Sequence, residues 1–225
     1  MSYITTMAVP EGVIMAADRM IVERIEDLDF EAPEGFRKAT KNYNRPVTRT
    51  AKKLFAIGGN IGVIIGQMMY TNQGLPVSMF VDHFCNNNDF DEPLQAAEKL
   101  AEYIHGIDGN MDTVMVLAGY NRSTPDVLSS ESYNIVIKTK EVERLSSFGF
   151  CYAGTNPYFG SYNERINENI LRYSLQDAAS ICKFATDMSR ELDRYLNFKE
   201  AITEDIDMIA ITRCGMQWLS GGRLI

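Results

Sequence analysis

Histidine is nearly missing from this chain, which has only His83 and His105 among its 225 residues. Neither lies in a G-x-S-x-G segment or another setting that pairs a serine with a histidine base, so serine chemistry of the histidine-assisted kind is not expected. Cysteine is also sparse. The four residues, Cys85, Cys151, Cys182 and Cys214, are far apart and form no C-x-x-C pair. With two histidines to help, they do not make a zinc site, and their spacing is not that of a disulfide framework. They read as free, mostly buried thiols of a reducing compartment. Basic excess is absent too. The net charge is −8 and no Lys/Arg stripe offsets it, which argues against a nucleic-acid partner. No stretch of 18 uncharged apolar residues occurs, so no membrane-spanning helix is expected. No basic segment followed by an apolar run opens the sequence, so no secretory signal is expected and the cytoplasm is the predicted location. Internal repeats and low-complexity tracts are lacking.

What remains is an ordinary globular composition, 45% hydrophobic and 23% charged. The length suits one domain over residues 1–225. Apolar residues begin almost at once: Ile4, Met7, Val9, Val13 and Met15 read as two strands around the turn Pro10-Glu11-Gly12. Residues 24–50 are polar, contain two prolines and show little periodicity, which predicts a surface insertion without regular structure. Two apolar runs at 54–57 and 61–65 flank Gly58-Gly59-Asn60, a strand–turn–strand signal. Helical patterns are expected over 67–84 and 92–105, with Pro93 at a helix start and Asn86-Asn87-Asn88 as the turn between them. Strand patterns follow at 113–120, 133–139 and 142–154. Helical ones follow at 157–171 and 175–196, and a last hairpin at 206–212 and 216–220. Strands and helices that come in groups predict an α+β fold. Two sheets packed face to face, with a helical layer outside each, would bury every apolar face: a four-layer αββα sandwich.

Four stretches carry a likeness to a known family: GVIMAADRM (12–20), KKLFAIGGNIGVIIGQ (52–67), AGTNPYFG (153–160) and IDMIAITRCG (206–215). In this order the chain resembles proteasome β-type subunits among the N-terminal-nucleophile (Ntn) hydrolases. Relatives of these include bacterial ring peptidases that work with an ATP-dependent unfoldase. Residues 24–50 fall outside the resemblance. The family implies a nucleophile sixteen positions before the acidic residue that closes the V-[IV]-x-A-[AT]-[DE] strand. Here that acidic residue is Asp18, and the position is Ser2, exposed once Met1 is removed. No propeptide is then expected.

The resemblance implies the remaining roles as well. Lys53 matches the family's active-site lysine, which would lower the pKa of the Ser2 hydroxyl, and Asp18 would hold Lys53 charged and in place. Lys52 would face solvent. A backbone N–H near Gly66 or Gln67 would bind the oxyanion; the strict family position is Gln67, where the family has glycine, and Gly66 is otherwise a strand-end bulge. Thr155 matches a serine that bonds the terminal amine, with Asn156 as its competitor. A distal acid and hydroxyl could be Glu200 and Thr203, with Asp193 competing for the acid. A free α-amino group, with a pKa near 8, would serve as the base, so no metal or organic cofactor is implied. The implied partners are identical subunits in a ring, a peptide or unfolded protein as substrate, and an unfoldase. Two alternatives stay open: a non-catalytic ring subunit, and an amidase or acylase acting on a non-peptide amide. The intact mass of the purified protein is expected to lack Met1; a mass that retains it would leave Ser2 acylated and inert.

Overall fold

Every residue of the seven-residue run GVIMAAD, Gly12–Asp18, is buried. A strand covered on both faces needs no polar alternation, and this run is central to the molecule. The computed structural model describes residues 3–25, 43–67, 70–71, 74–123, 130–153, 159–196 and 205–220. In chain order the elements are β1 (Ile4–Val9), β2 (Gly12–Asp18), β3 (Met20–Ile25), β4 (Tyr43–Thr50), β5 (Leu54–Ile57), β6 (Ile61–Gln67), α1 (Val77–Asn87), α2 (Pro93–Ile107), β7 (Thr113–Gly119), β8 (Glu131–Val136), β9 (Glu141–Arg144), β10 (Gly149–Ala153), α3 (Phe159–Glu168), α4 (Leu175–Leu196), β11 (Ile206–Thr212) and β12 (Gly215–Trp218). Two five-stranded antiparallel sheets result, ordered β10-β1-β2-β11-β12 and β5-β6-β7-β8-β9, beside a separate β3-β4 ribbon. The fold is α+β.

Strand alternation divides the apolar side chains between three clusters. Val13, Met15 and Ala17 of the first sheet pack with Leu54, Ile64 and Val116 of the second. Ile14 and Ala16 instead join Ala178, Cys182 and Ala185 of α4. On the second sheet, Phe55, Val63 and Met115 pack with Val81 of α1 and Leu100 and Ile104 of α2. Each fully buried aliphatic side chain contributes about 1.5–3 kcal/mol. The β1–β2 loop is tied to α4 as well: Glu11 Oε2 accepts the Leu175 N–H at 2.8 Å. Ser174 and Asp177 complete that helix start, for the Asp177 carboxylate accepts from the Ser174 N–H and the Ser174 hydroxyl accepts from the Asp177 N–H.

Several sequence expectations change here. Residues 20–25 and 43–50, expected within or beside a structureless insertion, form an antiparallel ribbon, with Val22 opposite Pro46 and Ile25 opposite Tyr43. Ribbon pairing satisfies backbone groups without needing a hydrophobic face, so apolar periodicity gave no sign of it. The first helix begins at Val77 rather than near 67. Residues to Gln67 continue β6, and Pro76 holds an extended backbone just ahead of the helix (φ −64°, ψ 125°). The helix also runs through Asn86 and Asn87, expected as turn, because Asn87 and Asn88 donate side-chain hydrogen bonds to the His83 and Phe84 carbonyls at its end. The single strand expected over 142–154 is two strands in different sheets: β9 pairs with β8, and β10 with β1. Past Arg144 the chain passes from one sheet to the other.

Gly62 marks a close approach of the two sheets. A Cβ there would meet Ile209 Cδ1 at 2.5 Å, Met15 Sδ at 2.6 Å and Ile211 Cδ1 at 3.0 Å. Gly62→Ala is expected to destabilise the protein by about 1–3 kcal/mol through overpacking, read from the shift in urea unfolding midpoint.

Candidate active site

Two charged side chains, Asp18 and Lys53, have no exposed surface. Each stands at the end of a strand, one in each sheet. Asp18 closes β2, opposite Ile206 of β11. Lys53 directly precedes β5, where its carbonyl accepts the Ile65 N–H at 2.9 Å. Lys53 Nζ donates to Asp18 Oδ1 at 2.9 Å. The same oxygen accepts the Tyr3 N–H at 2.8 Å, and the Asp18 N–H returns a bond to the Tyr3 carbonyl at 3.2 Å. A single carboxylate oxygen therefore joins the lysine of one sheet to the backbone just before β1 of the other.

The electrostatics are those of a dry ion pair. Burial pushes the Lys53 ammonium below the ordinary lysine range, and the charge and hydrogen bond of Asp18 pull it part of the way back. Neighbouring Lys52 points elsewhere. It is exposed, pairs with Asp82 at 2.7 Å and lies 4.8 Å from the Phe55 ring centroid.

The backbone separates the roles of Gly66 and Gln67. Residues two apart on a strand turn their N–H groups to the same edge. The Ile65 N–H meets the Lys53 carbonyl, so the Gln67 N–H is turned to that same edge, beside Lys53, and the Gly66 N–H is turned toward β7. Continuing the β5–β6 register would set Ala51 opposite Gln67, but the Ala51 N–H goes to the Arg19 carbonyl at 2.8 Å. Gly66 pairs regularly with Val114, so it is not a bulge. Space beside it is tight, since a Cβ would lie 3.2 Å from the Val114 carbonyl oxygen and 3.3 Å from Ile4 Cδ1, so a side chain there would need its neighbours to give by a few tenths of an ångström.

Of the residues expected in the site, Asp18 and Lys53 are brought together, and Gly66 and Gln67 lie on the strand beside them. Ser2, Thr155, Asn156 and positions 200 and 203 lie outside the described residues. Both histidines have local partners: His105 Nδ1 lies 3.0 Å from the Ile137 carbonyl oxygen, and His83 Nδ1 lies 3.1 Å from Asn87 Nδ2. Among the described residues, no three His, Cys, Asp or Glu side chains gather as metal ligands would. All four cysteines are free; Cys85 and Cys182 are buried, whereas Cys151 and Cys214 are exposed.

Sequence reading missed Arg19 and Asp207. Arg19 grips Asp207 through two bonds, Nε to Oδ2 at 3.0 Å and a second from its terminal nitrogen to Oδ1. A charged residue inside the otherwise apolar run IDMIAIT was the available signal. No family model matches the chain, and no curated protein matches it.

Replacing Lys53 by Met strands a buried carboxylate, and about 3–5 kcal/mol of stability should be lost. Asp18→Asn combined with Lys53→Met should recover much of it, as denaturant titration of the three variants will show. The lysine also predicts a pH dependence. Its folded pKa lies below the ordinary 10.5, so between the two values the unfolded chain holds more protons. The stability of the wild type relative to Lys53→Met should therefore rise with pH through that window and level off above it.

Proposed function

We propose that the chain is an N-terminal-nucleophile peptidase subunit in which Ser2, freed by loss of Met1, attacks a peptide carbonyl. One observation carries the reading: Asp18 Oδ1 accepts both from buried Lys53 and from the Tyr3 N–H, the nitrogen through which Ser2 joins the chain. A carboxylate–ammonium pair costs desolvation energy and is seldom retained for stability alone. Placed one peptide unit from an N-terminal serine, it has a chemical use.

In this reading the Ser2 α-amino group takes the hydroxyl proton as Oγ attacks the carbonyl carbon. The Lys53 ammonium, held by Asp18, stabilises the negative charge that builds on Oγ as the proton leaves. The carbonyl oxygen becomes an oxyanion and is received by the Gln67 N–H at the edge beside Lys53. Collapse expels the amine, which takes the proton from the α-ammonium, and leaves an ester on Ser2. The α-amino group then activates water to hydrolyse the ester. Thr155 is assigned to bond the terminal amine. Serine lacks the methyl that restrains threonine's rotamer, so turnover slower than that of a threonine nucleophile is part of the proposal.

The reading takes the two sheets and their helices as the four-layer αββα sandwich of this class. It assigns identical subunits to a closed ring, an unfolded or peptide substrate to its interior, an unfoldase as partner, and the cytoplasm as location. Incubation with fluorogenic peptides should release fluorophore in the wild type and none in Ser2→Ala. An electrophilic peptide probe should add its mass to the peptide that begins at Ser2. Turnover of acyl amides without peptides would replace this reading with an amidase. Retained Met1 with no turnover and a ring by sedimentation would replace it with a structural subunit.

A further inference from the structure

The Asp18–Lys53 pair is split in sequence by the β3–β4 ribbon, which leaves the first sheet directly after Arg19 and re-enters the second sheet directly before Lys53. Something must bring its two ends together at the site. Met20 stands opposite Thr50 at the ribbon base. One step further in, the Ala51 N–H donates to the Arg19 carbonyl at 2.8 Å. The Arg19 side chain then reaches sideways to β11 and takes the Asp207 carboxylate in a forked grip. Asp207 is nearly buried, while the guanidinium is about half exposed. Asp207 stands opposite Ala17, the residue before Asp18. Arg19 thus binds three segments at once: the end of β2 by the chain itself, the approach to Lys53 through its carbonyl, and β11 through its guanidinium.

We infer that Arg19 and Asp207 are positioning residues that fix the Ala51–Lys53 segment against β2, and so hold the Lys53 ammonium on the Asp18 carboxylate. Neither touches the reacting atoms. The inference rests on the proposed peptidase reading for its consequence in catalysis, but not for its geometry. A forked guanidinium–carboxylate pair fixes orientation as well as distance, which a lysine in the same place does not. Loss of the fork leaves the Arg19 peptide free to rotate, and the Ala51 hydrogen bond and the seat of Lys53 loosen with it.

The test uses Arg19→Lys, which keeps the charge and loses the fork, and Asp207→Asn, which keeps the shape and weakens the grip. Lysine-selective NMR follows the Lys53 amine, assigned with Lys53→Arg, and hydrogen exchange follows the Ala51 amide. Burial holds Lys53 below the ordinary lysine value. In both variants water should gain access, so its titration should move up toward that value, and Ala51 should exchange faster. Peptide hydrolysis should lose about tenfold or more in kcat with KM little changed, the mark of misplaced groups rather than weakened substrate binding. A Lys53 titration and Ala51 exchange identical to wild type in Arg19→Lys would overturn the inference, because charge alone would then account for Arg19. If the NMR and exchange changes occur but the wild type itself cleaves no peptide, the positioning role stands and the peptidase reading fails. Circular dichroism checks that each variant is folded. Should Asp207→Asn unfold, the charge-conserving Arg19→Lys still decides between the outcomes.

Discussion

A carboxylate and an ammonium with no exposed surface, 2.9 Å apart, set the terms for the rest of the molecule. Removing either charge from water costs several kcal/mol, and only close pairing with further hydrogen bonds offsets it. That requirement reaches outward. Asp18 must close a strand of one sheet and Lys53 must open a strand of the other, so the two sheets must meet at these ends. Tyr3 must deliver its N–H to the shared oxygen, which ties the start of β1 to the same point. The cluster of Val13, Met15 and Ala17 against Leu54, Ile64 and Val116 supplies the apolar contact that holds the two ends at this separation. Gly62 lets that contact close, because any larger side chain would meet three atoms of the opposite sheet.

The topology keeps the strands around the pair close to one another in sequence within each sheet. The strands nearest the pair, β1, β2, β5 and β6, are joined within each sheet by short hairpins. Longer connections leave from the end of β6, where α1 and α2 intervene before β7, from the ribbon base and from the edge strands. The passage from β9 to β10 carries the chain from the outer edge of one sheet to the outer edge of the other, and closes the first sheet beside β1. Helices α1 and α2 then cover one sheet, and α3 and α4 the other. The hairpin β1–β2 gains a second anchor from Glu11 at the start of α4, which keeps the first residues of the chain in register with a helix far along the sequence.

Local pattern made the α+β order of elements legible, because buried strands and amphipathic helices write their periods into the sequence. The pair Ile135-Val136 at the end of β8, the stripe of Ala178, Cys182 and Ala185 in α4 and the largely apolar β11 are of this kind. The switch between β9 and β10 was not legible. A continuous strand and two strands in different sheets share the same apolar residues, and only the partners β8 and β1 distinguish them. The ribbon was hidden for a related reason, as backbone pairing there leaves no alternating hydrophobic signature. In the candidate site, the likeness to a family suggested Asp18 and Lys53, which composition could not, for 35 residues separate them. Arg19 and Asp207, 188 residues apart, had no local signal except a charge where the strand is otherwise apolar.

The ribbon has one more consequence. Its base is closed by backbone bonds and by the Arg19–Asp207 grip, so the joint between the two sheets is complete without any contribution from the chain between Ile25 and Tyr43. Lengthening a loop closed in this way costs little, roughly 0.6 kcal/mol for each doubling. The interval between the aspartate and the lysine is therefore a free parameter of the architecture. A recognition arm or a tether grafted there would leave the ion pair at its root in place.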